Sequence, residues 1–312
     1  MKLRIGIGLS ALPAASPRAW FRWADLCESS DIDSIWQTDR LVSPQPFLES
    51  LAAMAALAGA TERVKFGMNA VVATFRDPLV LAKQCATIDW LSGGRLLPVF
   101  GVGGEGAAEF RATGLDPAQR GRRADEVLEL ARRLWSEESV SFRGEFYRYE
   151  QVSISPRPLQ QPLPLWIGGS SAAAIRRTVR LGTGWLGGVQ TPAQVAPVVA
   201  AIQKLGHESG RPIPEDHFGA SFVFRLGAPD DALVERVGKR YAAAARASGG
   251  AFDPKAYFAL GDAEAVLERV AQYRAVGVSK FVLMPLAQNE AELLDQTRRL
   301  AAEVVPVAHG WD

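Results

Sequence analysis

Leu3, Ile5, Ile7 and Leu9 alternate with Lys2, Arg4, Gly6 and Gly8. That period of two is a strand turning bulky groups to packed helices and two glycines the other way, toward a barrel axis or a ligand. Ser16-Pro17 then reads as an N-cap and first helical residue, and Trp20, Trp23, Ala24 and Cys27 recur at helical spacing. The alternation continues with a strand around Ser34–Gln37, a helix from Phe47 to about Ala60, a strand Lys65–Val72, a helix Pro78–Leu91 and a strand Leu96–Val102. Strand–helix units in series predict a parallel sheet. A fourth helix, Arg120–Ser136, places Ala124, Val127, Leu128, Ala131 and Leu134 on one face, with Arg122/Glu126 and Glu129/Arg133 spaced to pair outside.

Val140–Pro164 breaks this rhythm. Arg143-Gly144 separates the short runs Val140/Phe142 and Phe146–Ile154, and Pro156, Pro158, Pro162 and Pro164 follow, which predicts a small hairpin excursion. The pattern resumes with strand Leu165–Gly168, helix Ala172–Leu181, strand Gly184–Gly187, helix Pro192–Gly206 and strand Phe218–Arg225. A helical insertion, Asp230–Ala247, and a loop, Ser248–Leu260, precede the seventh barrel helix, Asp262–Val276, then strand Lys280–Pro285 and a last helix, Ala291–Val304. The strand count reaches eight, so the expected fold class is α/β, a closed (β/α)8 barrel in one domain over residues 1–312.

Composition narrows the partners. With 35 Lys plus Arg against 34 Asp plus Glu, the net charge of +1 gives no field to hold nucleic acid or an anionic membrane. Cys27 and Cys85 sit in apolar helical patterns, as buried thiols rather than a disulfide, which fits a reducing cytoplasm. The chain opens directly on a strand with no signal-like segment, and the apolar run Leu51–Ala60 is too short to span a bilayer, so the expectation is a soluble, cytoplasmic protein.

In such a barrel, reacting groups lie at the carboxyl ends of the strands. The candidates there are Ser10, Asp39, Arg40, Asn69, Gly101–Glu105, Gly168–Ser171, Trp185 and Met284. Trp166-Ile-Gly-Gly-Ser-Ser171 ends a strand and opens a helix. Gly168 and Gly169 let the backbone approach a ligand, while Ser170, Ser171 and free amides suit a phosphate; the alternative is an ordinary glycine turn with a serine N-cap. Gly101-Val-Gly-Gly-Glu-Gly106 lacks the position and acidic partner of a dinucleotide loop; Gly101 and Gly103 either make a wall that admits a flat ring or a flexible turn. Arg40 could hold an anionic group, with Asp39 orienting it or accepting a hydrogen bond, or the two could be a rim salt bridge. Asn69 could bond a ring edge or simply end its strand. Trp36 and Trp185 are the tryptophans placed to line a pocket. His207, His217 and His309 are too scattered for a metal site, and no serine sits in a nucleophile elbow.

Asp33-Ser-Ile-Trp-Gln-Thr-Asp39, the crossover Arg76–Arg95, Glu109-Phe110, Val140–Val152 and Pro164–Gly188, including Gly182-Thr-Gly-Trp185, follow one another as in the bacterial luciferase-like family, which this chain resembles from Leu3 to about Pro285. The resemblance implies a TIM barrel with a reduced flavin (FMN) or the deazaflavin F420 across its mouth, its phosphate near Gly168–Ser171. The ring would meet the third strand's end at Asn69, Ala70 and Val71, through a peptide that is sometimes cis in relatives. It further implies a small-molecule substrate, a flavin reductase as possible partner, and a homodimer. Two departures stand out. Arg40 occupies the place where many relatives carry a histidine, and Arg suits electrostatic stabilisation rather than base catalysis. Ala108 precedes Glu109 where F420-using relatives often have asparagine. Three functions follow from the resemblance: a monooxygenase using reduced FMN and O2, an F420-dependent hydride-transfer oxidoreductase, and a non-catalytic flavin-binding protein.

Overall fold

A computed structural model describes residues 2–9, 11–13, 16–228, 232–247 and 253–311. Ser10, part of the loop expected over Ser248–Leu260 and the start of the predicted Asp230–Ala247 helix lie outside the described residues. The chain runs β1 (Arg4–Leu9), α1 (Pro17–Glu28), β2 (Ser34–Gln37), α2 (Ser50–Ala60), β3 (Lys65–Val72), α3 (Pro78–Leu91), β4 (Leu96–Gly101), α4 (Ala108–Thr113) and α5 (Arg120–Ser136). It continues through β5 (Val140–Arg143), β6 (Arg148–Val152), β7 (Trp166–Gly168), α6 (Ala172–Leu181), β8 (Gly184–Val189), α7 (Pro192–Glu208) and β9 (Phe218–Leu226). The last elements are α8 (Ala232–Ala247), α9 (Pro254–Tyr257), β10 (Phe258–Gly261), α10 (Ala263–Arg274), β11 (Lys280–Pro285), α11 (Glu290–Arg299) and α12 (Val305–His309).

Among the described residues, β11-β1-β2-β3-β4-β7-β8-β9 pair side by side in parallel, and the β9–β11 pairing closes the ring. This is the eight-stranded barrel that the alternation predicts. β5 and β6 form the expected antiparallel hairpin outside it. β10 begins inside the stretch predicted as loop and runs one residue past it; it pairs with the last four residues of β9, beyond the point where β8 ends its pairing.

Ile5, Ile7 and Leu9 of β1 join the core between barrel and helices. The alternating glycines face inward, and a side chain at Gly6 would collide with Ser34 Oγ and the Trp36 indole. Trp36, Val99, Trp166, Leu186 and Val282 fill the barrel interior, so Trp36 is a core residue and not a pocket wall. Trp185 is likewise fully buried, packed in the outer core. The chain ends are tied by Trp23 on α1, whose Nε1 donates to Thr297 Oγ1 on α11 at 3.0 Å.

The predicted surface pairs on α5 form differently. Glu126 accepts from the backbone N–H groups of Glu145, Phe146 and Tyr147 at 2.6, 3.0 and 3.2 Å. Hairpin amides with no ladder partner outcompete a solvated i,i+4 arginine. Arg122 pairs with Glu145 instead, and Arg133 with Glu137.

A polar plug closes the amino-terminal end. Lys280 Nζ lies 2.6 Å from Asp33 Oδ2, Ser34 Oγ donates to the same carboxylate at 2.9 Å, and Trp36 Nε1 donates to Ser34 Oγ at 2.9 Å. Burial pushes the Asp33 carboxyl upward, but the Lys280 ammonium overrides it and holds it below the ordinary range. Cys27 and Cys85 are free and buried; burial pushes both thiols up, Cys85 to about 12. No helix among the described residues is long and apolar enough to cross a membrane.

Removing one member of the plug leaves the other buried and unpaired, so K280M should cost about 3–5 kcal/mol in urea unfolding. Without Lys280 burial raises the Asp33 carboxyl, so the wild-type advantage over K280M should be largest near neutral pH and shrink on acidification, as Asp33 protonates first in the variant and then, at lower pH, in the wild type. Equal stabilities at neutral pH would show that the pair contributes nothing.

Candidate functional site

The carboxyl-terminal mouth is organised around Asp39, two residues beyond β2. Its side chain is 1% exposed and accepts Arg76 Nη1 and Nη2 at 2.8 Å each, Ser50 Oγ at 2.9 Å and the Val72 N–H at 3.1 Å. Arg76 also bonds Glu49, which caps α2 by accepting from the Ala52 N–H. Burial works against the Arg76 cation, yet its bonds to Asp39 and Glu49 override this and hold its proton more firmly than usual. Asp39 therefore ties together the ends of β2 and β3 and the start of α2.

Its neighbour points elsewhere. Arg40 is half exposed, with Nη1 3.8 Å from Oε1 of Glu109, a carboxylate only 3% exposed on the short helix α4. The Asp39–Arg40 pairing weighed from sequence is replaced by two ion pairs, Asp39–Arg76 and Arg40–Glu109. An arginine at working pH cannot accept a proton, so Arg40 offers a fixed positive charge and hydrogen-bond donors.

At the end of β3 the Asn69–Ala70 peptide is cis, and the register against β4 shifts between Met68 and Val71. Asn69 Nδ2 donates to Ser221 Oγ on β9 at 2.8 Å, a link across the mouth. Ala70 is the centre of a floor without large side chains. A Cβ on Gly101 or Gly168 would come within 3.7 or 3.6 Å of the Ala70 methyl, so these three positions meet. Any larger side chain on Gly101 would project into the mouth, because Ala70 is its sole near neighbour there.

Beyond this floor, Gly169 has a left-handed φ of +100° and its carbonyl accepts Trp185 Nε1 at 2.8 Å. Trp185 thus acts from below, as a support for the turn. Ser170 Oγ donates to Gln190 Oε1 at 2.7 Å, and Ser171 caps α6 by accepting from the Ala174 N–H. The serine cap is present, and the first amides of α6 retain no intrahelical acceptor. Gly103, with φ +75°, packs against Phe110 and Val72.

A cleft of about 600 Å³ opens at this mouth, lined among others by Thr38, Arg40, Asn69, Gly188, Ser221 and Met284. Of the sequence candidates, Arg40, Asn69 and Met284 line it directly. Ala70, Gly101 and Gly168 form one contiguous floor, while Asp39 lies behind the wall. Sequence reasoning missed Ser221, although it is the one hydroxyl in the otherwise apolar run Phe218–Phe224. It also missed Arg76 and Glu49, whose partners are distant in sequence.

A closed parallel barrel with a cleft at its strand carboxyl ends, mostly apolar with a few polar groups, is the architecture of small-molecule sites in this fold. The chain belongs to the luciferase-like monooxygenase family, whose model matches residues 3–280. It is 40% identical over 130 residues to the FMNH2-dependent dimethylsulfone monooxygenase of Pseudomonas putida, covering 40% of this chain and 35% of that one. It is 32% identical over 195 residues to the F420-dependent glucose-6-phosphate dehydrogenase of Amycolatopsis mediterranei, covering 59% and 57%. The matched part is thus less than two thirds of either relative. The crystal structure of monooxygenase RslO1 from Streptomyces bottropensis superposes with a TM-score of 0.83 at 23% identity, over 98% of this chain and 99% of that one, and shows the shared fold.

Asp39→Ala should destabilise the protein by about 3–5 kcal/mol, since it strips a buried arginine of its bidentate partner. Arg76→Lys should not be tolerated as a conservative change, because one ammonium cannot reproduce the fork. Urea midpoints check both; wild-type stability in either variant would mean that the clamp does not hold the mouth.

Proposed function

We propose that the protein is a flavin-dependent oxidoreductase that takes reduced FMN from a separate reductase and uses it with O2 on a small organic substrate. The carrying observation is the floor of Ala70, Gly101 and Gly168 beside the cleft: a surface free of large side chains fits a flat ring system. Asn69, held by Ser221, presents an amide to the ring edge. Val71 follows in the same strand, and the turn at Gly168, Gly169, Ser170 and Ser171 brings helix-start amides to a phosphate. Gly103 would shape the wall above the ring. Bound reduced flavin would supply the electrons that activate dioxygen.

The chain's own residues position and exclude. Arg40 places a positive charge beside developing negative charge on ring or substrate, and Glu109 keeps that side chain aimed. Asp39 is a positioning residue acting through Arg76 and the Val72 N–H. The proposal includes a homodimer in the cytoplasm; Val80, Trp90 and Leu91 on α3, each at least half exposed, offer an apolar face for self-contact.

A second reading, F420-dependent hydride transfer, is favoured by the longer matched stretch with the F420-dependent dehydrogenase, 195 residues against 130. The same floor would take the deazaflavin ring. A non-catalytic flavin-binding protein is the third reading, and Arg40 in place of a base is its support.

Anaerobic equilibrium titration with FMN, reduced FMN and F420 separates these readings. Preference for reduced FMN with oxygen uptake on reoxidation is expected; preference for F420 moves the assignment to hydride transfer, and tight binding without turnover to the third reading. Arg40→Ala should lower kcat/KM by about 10²-fold and, by leaving the buried Glu109 carboxylate without its partner, should also lower the urea midpoint. Unaltered kinetics would remove Arg40 from the site.

A further inference from the structure

Charge is one-sided in the mouth. The cleft of about 600 Å³ adjoins a second of about 490 Å³, and the two share Gln45 and Tyr241 in their walls. Among the described residues, the charged side chains lining them are Arg40 in the first and Arg236 in the second, and no carboxylate lines either. A chain with 35 Lys plus Arg against 34 Asp plus Glu has no compositional bias toward such a wall, so the excess of positive charge is local to the mouth.

The two arginines are not equivalent. Arg236 Nη2 donates to Gln288 Oε1 at 2.6 Å, latching α8 to the segment after β11. Arg40 donates no hydrogen bond to any described residue; its charged neighbour, the Glu109 carboxylate, lies 3.8 Å from Nη1, beyond hydrogen-bond length. Its N–H donors are therefore uncommitted, in a planar fork that matches two oxygens of a carboxylate or sulfonate. Thr38 and Ser43 bring hydroxyls to the same cleft, while Val42, Pro44, Phe47, Val189 and Met284 make the larger share of its wall apolar.

We infer that the substrate is a small organic anion, a carboxylate or sulfonate on an apolar body, and that Arg40 holds its anionic group by paired hydrogen bonds. Arg40 is then the residue that sets specificity, since an amide of the same shape offers no charge and fewer acceptor oxygens to the fork. A cationic substrate would meet no carboxylate in either wall. The lining of the cleft includes none of Gly168–Ser171, so this anion is not the flavin phosphate, which the reading above places at the start of α6. The inference rests on the flavin reading only for what is then done to the substrate; holding the anion requires no cofactor.

The test is calorimetric titration of the full chain, without cofactor, with phenylacetate against phenylacetamide and benzenesulfonate against benzenesulfonamide. At least one anion should bind about tenfold more tightly than its amide, the value of a charged hydrogen-bond pair at a half-exposed site, and added salt should narrow the gap. Arg40→Gln should abolish the preference, and Arg236→Gln, which removes an equal charge from the adjoining wall, should keep most of it. Cooperative urea unfolding reports that each variant folds. Should Arg40→Gln fail to fold, Arg40→Lys keeps a cation beside Glu109 and should still lose severalfold in anion affinity, because one ammonium cannot reproduce the fork. Amides binding as tightly as both anions, no binding by any of the four, a preference undiminished at position 40, or one lost equally in Arg236→Gln overturns the inference. Failure of FMN and F420 to bind while the preference persists would remove the flavin reading and leave the anion site standing.

Discussion

The Asp39 carboxylate is the constraint on which the mouth depends. It accepts both arms of Arg76, the Ser50 hydroxyl and the Val72 N–H, and thereby fixes three chain segments separated by loops. A buried carboxylate alone would be costly; bidentate pairing and full use of its oxygens offset that. Without this clamp the end of β3, which carries Asn69 and Ala70, would have no fixed relation to the loop carrying Arg40. The end of β3 and the charge beside it are thus set by one ion pair that does not line the cleft.

Two polar centres divide the labour. The Lys280–Asp33 plug seals the amino-terminal end, and the tryptophans at 36 and 166 fill the interior above it, so the barrel is solid up to the layer of Ala70. At the carboxyl end small residues replace large ones, and the space they leave adjoins the candidate site. The inserted helix α8 then seats Leu233, Val237 and Tyr241 beside the ends of β9 and β11, in an apolar cluster apart from the main core.

Much of this was legible in the sequence because barrel strands are short, apolar and bounded by helix signals. The runs at Arg4–Leu9, Lys65–Val72 and Lys280–Pro285 carry period-two or continuous apolar patterns, and Ser16 and Ser171 mark helix starts with the caps that the structure shows. What escaped reading depends on distant contacts. Nothing local tells that Asp39 turns to Arg76 rather than Arg40, or that Glu126 serves hairpin amides rather than Arg122. β10 was hidden because Phe258–Gly261 is short and pairs only with the overhang of β9. Trp36 and Trp185 sit at strand positions that sequence cannot assign to inside or outside, and both prove to be buried support. Ser221 had a signal, a lone hydroxyl in an apolar strand, whose meaning required its partner Asn69.

The most direct test of the account is a crystal structure of the protein with FMN bound. The account predicts the ring lying over Ala70, Gly101 and Gly168 with its edge at Asn69, and the phosphate at the amino-terminal start of α6 beside Ser170 and Ser171. A ring or phosphate found away from these positions, with the mouth left open, would contradict it.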